Sequence, residues 1–170
     1  MHRTPAIIAL TTLALAGCTG ADLPSQPSFY QSLAAPNAEV DAAAAQSMIS
    51  GYRKNNGLGP VAVDPALMRL AGEQSRAMAQ RDKLDHGVSR EFNERIRRSG
   101  FDAKVAVENI GAGYHTLAEA FSGWRDSPPH RANMLKGGVN RLGIAAVYAP
   151  QSKYKVFWAL IMAAKDEGRG

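Results

Sequence analysis

Three side chains in this sequence, His86, Glu108 and His130, are of types that could do chemistry if the fold brought them together. A carboxylate beside an imidazole fixes its tautomer and raises its basicity, and a second imidazole adds a proton acceptor or a metal ligand. His130 stands out on local grounds. With Ser127 as N-cap, Pro128 and Pro129 become the first two helical residues and neither has an N–H, so the Ser127 hydroxyl is left with the His130 amide. That pins the imidazole at the positive end of a helix dipole, which disfavours imidazolium and leaves the neutral ring that binds metal or accepts a proton. His86 follows a helix end and Glu108 sits where a strand runs out into Gly111-Ala112-Gly113, so all three occupy the edges of rigid elements. The spacing of His86 and His130 matches no local metal motif, and without further context core or surface histidines are the better reading.

The elements that must position these residues can be read from periodicity. From Glu39 to Asn55, Val40, Ala44, Met48, Ile49 and Tyr52 recur near the helical period until Asn55-Asn56-Gly57 stops the run. Asp64-Pro65 supplies an N-cap and a first-turn proline for a helix to about Lys83, with Leu67, Leu70, Ala71, Gln74, Ala77 and Met78 on one face. Ser89 is expected to cap a third helix to about Ser99, with Phe92, Ile96 and Phe101 inward and Gly100 as terminator. The basic patch on that helix, Arg95, Arg97 and Arg98, reads as a solvated face. Lys104 to Ile110 alternates as a strand; Thr116 and Glu119 form a capping-box pattern for a helix through Trp124, and Ser127-Pro128 opens another to Lys136. Arg141 to Tyr148 and Tyr154 to Ala163, rich in valine, isoleucine and aromatic residues and separated by Pro150-Gln151-Ser152-Lys153, read as a hairpin. Trp124, Trp158, Phe157 and Phe121 read as core. The expected fold is an α/β sandwich (α-β-α) with a three-stranded, mainly antiparallel sheet between helical layers.

The ends of the chain point to export. A basic start, His2 and Arg3, precedes the apolar run Ala6 to Ala16 and then Leu15-Ala16-Gly17-Cys18, a run too short to span a bilayer. Residues 1–17 read as a lipoprotein signal peptide and Cys18 as the lipidated first residue of the mature chain. Cys18 is also the only cysteine, which excludes an internal disulfide. Residues 18–38, with Pro24, Pro27 and Pro36 among polar and small residues, read as a flexible tether with a reach of roughly 25 Å. Residues 39–164 form the one domain, and 165–170 a polar tail. Removing residues 1–17 deletes only Arg3 among the formal charges, taking the net charge from +5 to +4. Outside the cytoplasm that balance suits loose attraction to anionic headgroups or wall polymers and makes nucleic acid an unsuitable partner. A monomer is expected.

With Glu108-Asn109-Ile110-Gly111, Trp124, Ser127-Pro128-Pro129-His130-Arg131-Ala132-Asn133-Met134-Leu135 and His86 in view, the chain from about Val40 to Ala164 resembles the CAP superfamily. This is the SCP-like extracellular domain shared with cysteine-rich secretory proteins, antigen 5 and pathogenesis-related proteins, here in a bacterial lipoprotein form. The resemblance implies the same α-β-α fold and a cavity of two histidines and two glutamates, of which His86, Glu108 and His130 match three. The fourth place, three residues after Trp124, is Ser127. Asp126 and Glu119 are poor substitutes, the second because it partners Thr116. The resemblance also implies that His86 and His130 hold a divalent cation, Zn2+ first among them, weakly, because two protein ligands leave an open site. Asn109 and Asn133 are expected to brace the cleft and Arg131 to tie its helix to a neighbouring loop. His115, after Gly113-Tyr114, is placed at the cleft mouth, with a solvent-facing loop residue as its plainer alternative.

Three functions fit these residues. The favoured one is a non-catalytic, envelope-anchored binding module whose cleft takes a lipid, wall or peptide ligand, on the periplasmic face of an outer membrane if the cell has one. The second is a metal-assisted, peptidase-like hydrolase with Glu108 as general base; against it stand the missing second carboxylate and the absence of a recognisable nucleophile motif. The third is an envelope protein that uses only its surface, with the triad a relic.

Overall fold

The computed structural model describes residues 26–166, so the expected signal peptide and Cys18 lie outside the described residues. A short 3-10 helix, Ser28–Tyr30, is followed by α1 (Ala42–Asn55), β1 (Ala62–Val63), α2 (Pro65–Arg81), α3 (Phe92–Arg98), β2 (Ala103–Ala112), α4 (Leu117–Asp126), α5 (Pro128–Met134), β3 (Arg141–Ala149) and β4 (Lys155–Lys165). Within the span read as tether, Leu33 is buried, its N–H bonds the His115 carbonyl at 2.7 Å, and the Ser28 hydroxyl reaches Asp41 at 2.6 Å.

The sheet corrects the expected three strands. It has four, in the order β1-β3-β4-β2, and is mixed: β3 and β2 flank β4 antiparallel, while β1 runs parallel to β3. β1 is two residues long, too short to show any alternation, and it is defined by its partners. The Ala62 N–H bonds the Asn140 carbonyl at 2.9 Å and the Asp64 N–H bonds the Leu142 carbonyl at 2.8 Å.

β4 is central and buried along its length, which explains an almost unbroken apolar run. Its side chains divide between two cores by the period of two. Val156, Trp158, Leu160 and Met162 pack with Trp124, Met134 and Ile49 of α4, α5 and α1, whereas Phe157, Ala159, Ile161 and Ala163 pack with Leu67, Leu70 and Met78 of α2 and Ile96 of α3. The helices thus form two layers, one on each face. Gly143 lets α2 lie close on β3, since a Cβ there would overlap the main chain at Leu67 and Met68.

Most helix ends follow their sequence signals. Asp64 accepts from the Ala66 and Leu67 amides ahead of α2, and Thr116 with Glu119 completes both halves of a capping box on α4. Two expected caps do not form. α3 starts at Phe92 after Glu91, with no side-chain cap, so Ser89 lies outside the helix. Ser127 is the N-cap of α5 by position, but its hydroxyl makes no cap bond.

Candidate functional site

The site forms at an edge of the sheet, because β2 is the outermost strand on that side and neighbouring residues on it face opposite ways. Glu108 lies opposite Ile161, on the α2–α3 face, and Asn109 lies opposite Leu160, on the α4–α5 face. Each finds polar partners in its own layer.

On the first face the Glu108 carboxylate is enclosed. Arg95 Nη2 donates to both its oxygens, at 2.9 and 2.8 Å, and His86 Nδ1 donates to Oε1 at 2.8 Å. The side chains of Arg95 and Glu108 are 4% and 1% exposed, while that of His86 is 51% exposed. Arg95 was expected on a solvated face; it is instead the cation that neutralises the buried carboxylate. The signal for it was present: 92, 95 and 96 share a helical stripe, and Arg95 stands on it between Phe92 and Ile96. Its guanidinium lies 5.3 Å from the Phe92 ring centroid.

The turn that presents His86 is held from two helices. Gln74, fully buried on α2, donates through Nε2 to the Asp85 carbonyl at 2.8 Å and the His86 carbonyl at 3.3 Å, and Arg95 Nη2 also reaches the His86 carbonyl at 3.1 Å. The Asp85 carboxylate closes the turn by accepting the Gly87 N–H at 2.9 Å. With Nδ1 committed to Glu108, Nε2 is the remaining polar atom of a half-exposed ring.

On the second face, Asn109 Nδ2 donates to the His130 carbonyl at 2.9 Å, while Asn133 Nδ2 donates to Asn109 Oδ1 at 2.9 Å and to the Glu108 carbonyl at 3.0 Å. Both asparagines join β2 to α5 through these bonds. Asn133 also supplies a donor to a main-chain acceptor of an edge strand. α5 is thereby clamped to β2, and His130 lies near enough to His86 to feel its charge. Ser127 is half-buried at the α4–α5 junction, His115 is exposed and contributes its main chain, and Glu119 is occupied by the His115 and Thr116 amides. Arg131 is exposed.

The two imidazoles are pushed in opposite directions. The hydrogen bond to Glu108 raises the pKa of His86 above its ordinary 6.5, with burial opposing. Burial lowers that of His130, helped by the charge of His86. A neutral His130 was expected from the helix dipole and a Ser127 cap; the cap is absent, and desolvation beside a second imidazole is the cause. The site thus favours the protonated ring at His86 and the neutral ring at His130.

The expected cation is not supported. Among the described residues no group of three or more His, Cys, Asp or Glu side chains could hold a metal ion. Physically, the Glu108 oxygens already accept from His86 Nδ1 and from Arg95 Nη2, and a guanidinium on the carboxylate disfavours a second cation there. The expectation of weakly held Zn2+ is withdrawn.

A family model for the cysteine-rich secretory protein family, CAP, matches residues 46–162. The Bacillus subtilis (strain 168) protein YkwD is 29% identical over 102 residues, 59% of this chain and 40% of that protein, so the chain spans well under two thirds of that relative. An extracellular SCP-domain protein from Bacillus anthracis superposes with a TM-score of 0.63 at 22% identity, covering 72% of this chain and 40% of the other. An outer surface protein from Borrelia burgdorferi superposes with a TM-score of 0.66 at 16% identity, covering 76% of this chain and 98% of the other. At these identities the two structures show a shared fold.

Proposed function

The chain belongs to the cysteine-rich secretory protein (CAP) family, and on that premise we propose that it is a non-catalytic binding module of the cell envelope. In this reading a lipid on Cys18 tethers the domain, on the periplasmic face of the outer membrane in a two-membrane cell, and the cleft between His86 and His130 takes a lipid, wall-fragment or peptide ligand. The export signal read at residues 1–18 supports the location, as do the extracellular and outer-surface descriptions of the two structural neighbours.

The observation that carries the reading is the state of Glu108. A general base needs an oxygen within reach of water or substrate, whereas both oxygens of this carboxylate are buried and already accept from Arg95 and His86. Its role is to orient and charge His86. The site then presents a half-exposed ring that favours its protonated, donating form beside one that favours its neutral, accepting form, a pair suited to an uncharged amide or hydroxyl group on a ligand.

The test is retention of envelope components. Purified chain is incubated with separate lipid, peptidoglycan-fragment and peptide pools, re-isolated, and its extract analysed by mass spectrometry. The wild type is expected to retain a species from one pool, and a His86→Ala, His130→Ala double variant to hold it at least about tenfold more weakly. An empty wild-type extract from all three pools, or equal retention by the double variant, removes the proposal. Peptide hydrolysis that Glu108→Gln abolishes would replace it with the hydrolase.

A further inference from the structure

Between α2 and α3 lies a cavity of about 330 Å3 whose wall contains four arginines, Arg69, Arg90, Arg95 and Arg98, against one carboxylate, Glu73. Like charges sharing one wall repel, and the surrounding partners compensate little of this. Arg90 and Arg98 share Glu94, at 3.1 and 3.9 Å, and Arg69 Nη1 donates to the neutral Pro65 carbonyl at 3.3 Å. Glu108, the buried partner of Arg95, does not line the cavity.

Arg95 adds an independent observation. Its Nε donates to the Arg90 carbonyl at 3.2 Å and its Nη2 is taken by the His86 carbonyl and Glu108, but Nη1 is buried and has no hydrogen-bond partner among the described residues. A side chain 4% exposed that leaves a charged N–H without an acceptor is a cost to the fold unless a ligand supplies one.

We propose that this cavity binds a phosphate group. Arg95 provides the buried donor, and the exposed Arg69, Arg90 and Arg98 provide charge at the rim. Guanidinium forks match the oxygens of phosphate, and four of them against Glu73 give the wall a net positive charge that favours an oxyanion. The volume leaves room for a substituent on the phosphate, so either free phosphate or a phospholipid headgroup has the required chemistry. Arg95 joins this cavity to the Glu108–His86 pair, but the phosphate site stands on its own residues.

The test is calorimetric titration of the full chain with inorganic phosphate and, separately, with glycerophosphoglycerol, the soluble headgroup of phosphatidylglycerol, each against chloride at matched ionic strength. One-to-one saturable binding of at least one probe is expected, and the tighter of the two identifies the source. An Arg69→Gln, Arg98→Gln double variant alters only exposed side chains; its melting temperature should match the wild type while its affinity falls at least about tenfold. Failure of both probes to saturate, or wild-type affinity in a folded double variant, overturns the assignment.

Discussion

Arg53 and Arg95 are both buried, at 1% and 5% exposure, and the chain uses them in opposite ways. Arg53 directs all three guanidinium nitrogens at main-chain carbonyls, those of Gly59, Met134 and Lys136 at 2.9 Å and Val139 at 3.1 Å. Every one of these acceptors is neutral, and the bonds tie the end of α1 to the connection between α5 and β3. Desolvation is the cause that lowers its pKa from the ordinary arginine value. Arg95 instead holds a buried carboxylate, stacks on Phe92 and keeps one nitrogen unfilled among the described residues. The contrast separates two uses of a buried cation. Saturation by neutral main chain clips a fold together; a carboxylate partner with an open donor builds a charged surface that something else can meet.

The sharpest way to break this comparison is at Arg53. Arg53→Met should cost about 4 kcal/mol, because several buried carbonyls each lose their donor at ~1–3 kcal/mol, and no single partner change should restore it. Urea unfolding measures this, and a loss below ~1 kcal/mol would mean that water replaces the guanidinium easily. Glu108→Gln should cost about 3 kcal/mol, since it strands a buried cation. Unlike Arg53, this loss is rescuable: an Arg95→Met, Glu108→Leu pair should recover to within ~1–2 kcal/mol of wild type, because removing both charges removes the desolvation cost with them. A double variant no more stable than Glu108→Gln would make Arg95 a clip like Arg53.

The histidines sharpen the electrostatic half of the contrast. The raised pKa of His86 contributes stability that is fully present below its unfolded value of 6.5 and is lost as pH rises through its folded value. The lowered pKa of His130 contributes stability present above 6.5 and lost as pH falls through its folded value. Their joint contribution therefore peaks near the ordinary histidine value, and NMR titration of the ring protons should show His86 titrating above His130. In Glu108→Gln the His86 midpoint should fall, as the largest cause of its elevation is gone; an unmoved midpoint would refute that cause. The smallest effect belongs to Ser127→Ala, expected within about 0.5 kcal/mol of wild type by thermal melting, because its hydroxyl caps nothing.

Much of the fold was legible because its signals are local. The Asp64-Pro65 start of α2, the Thr116–Glu119 box and the β3–β4 hairpin each follow from a few adjacent residues. β1 escaped because two residues carry no period and the strand exists only by pairing with β3. At the site, the turn that carries His86 was readable, but Glu108, expected where a strand runs out into glycines, stands inside β2, which continues through Gly111 to Ala112, and Arg95 reads as surface by composition. Its neighbours Arg97 and Arg98 are exposed and share its charge, so composition pointed outward while the Phe92–Ile96 stripe pointed in. The stripe prevailed because Glu108, from a strand beyond the helix, met the guanidinium in the core.

The sequence by itself determined the family, the order of the helices and the main strands, the capping of α2 and α4, and the residue types available for a site, since these depend on neighbours a few positions apart. Only the tertiary structure decided that Arg95 turns inward to a carboxylate thirteen residues away, that Asn109 and Asn133 clamp α5 round the open edge of β2, and that the two imidazoles acquire opposite charge preferences. Those outcomes depend on desolvation and on charges from distant segments, which exist only once two helical layers have closed over the sheet.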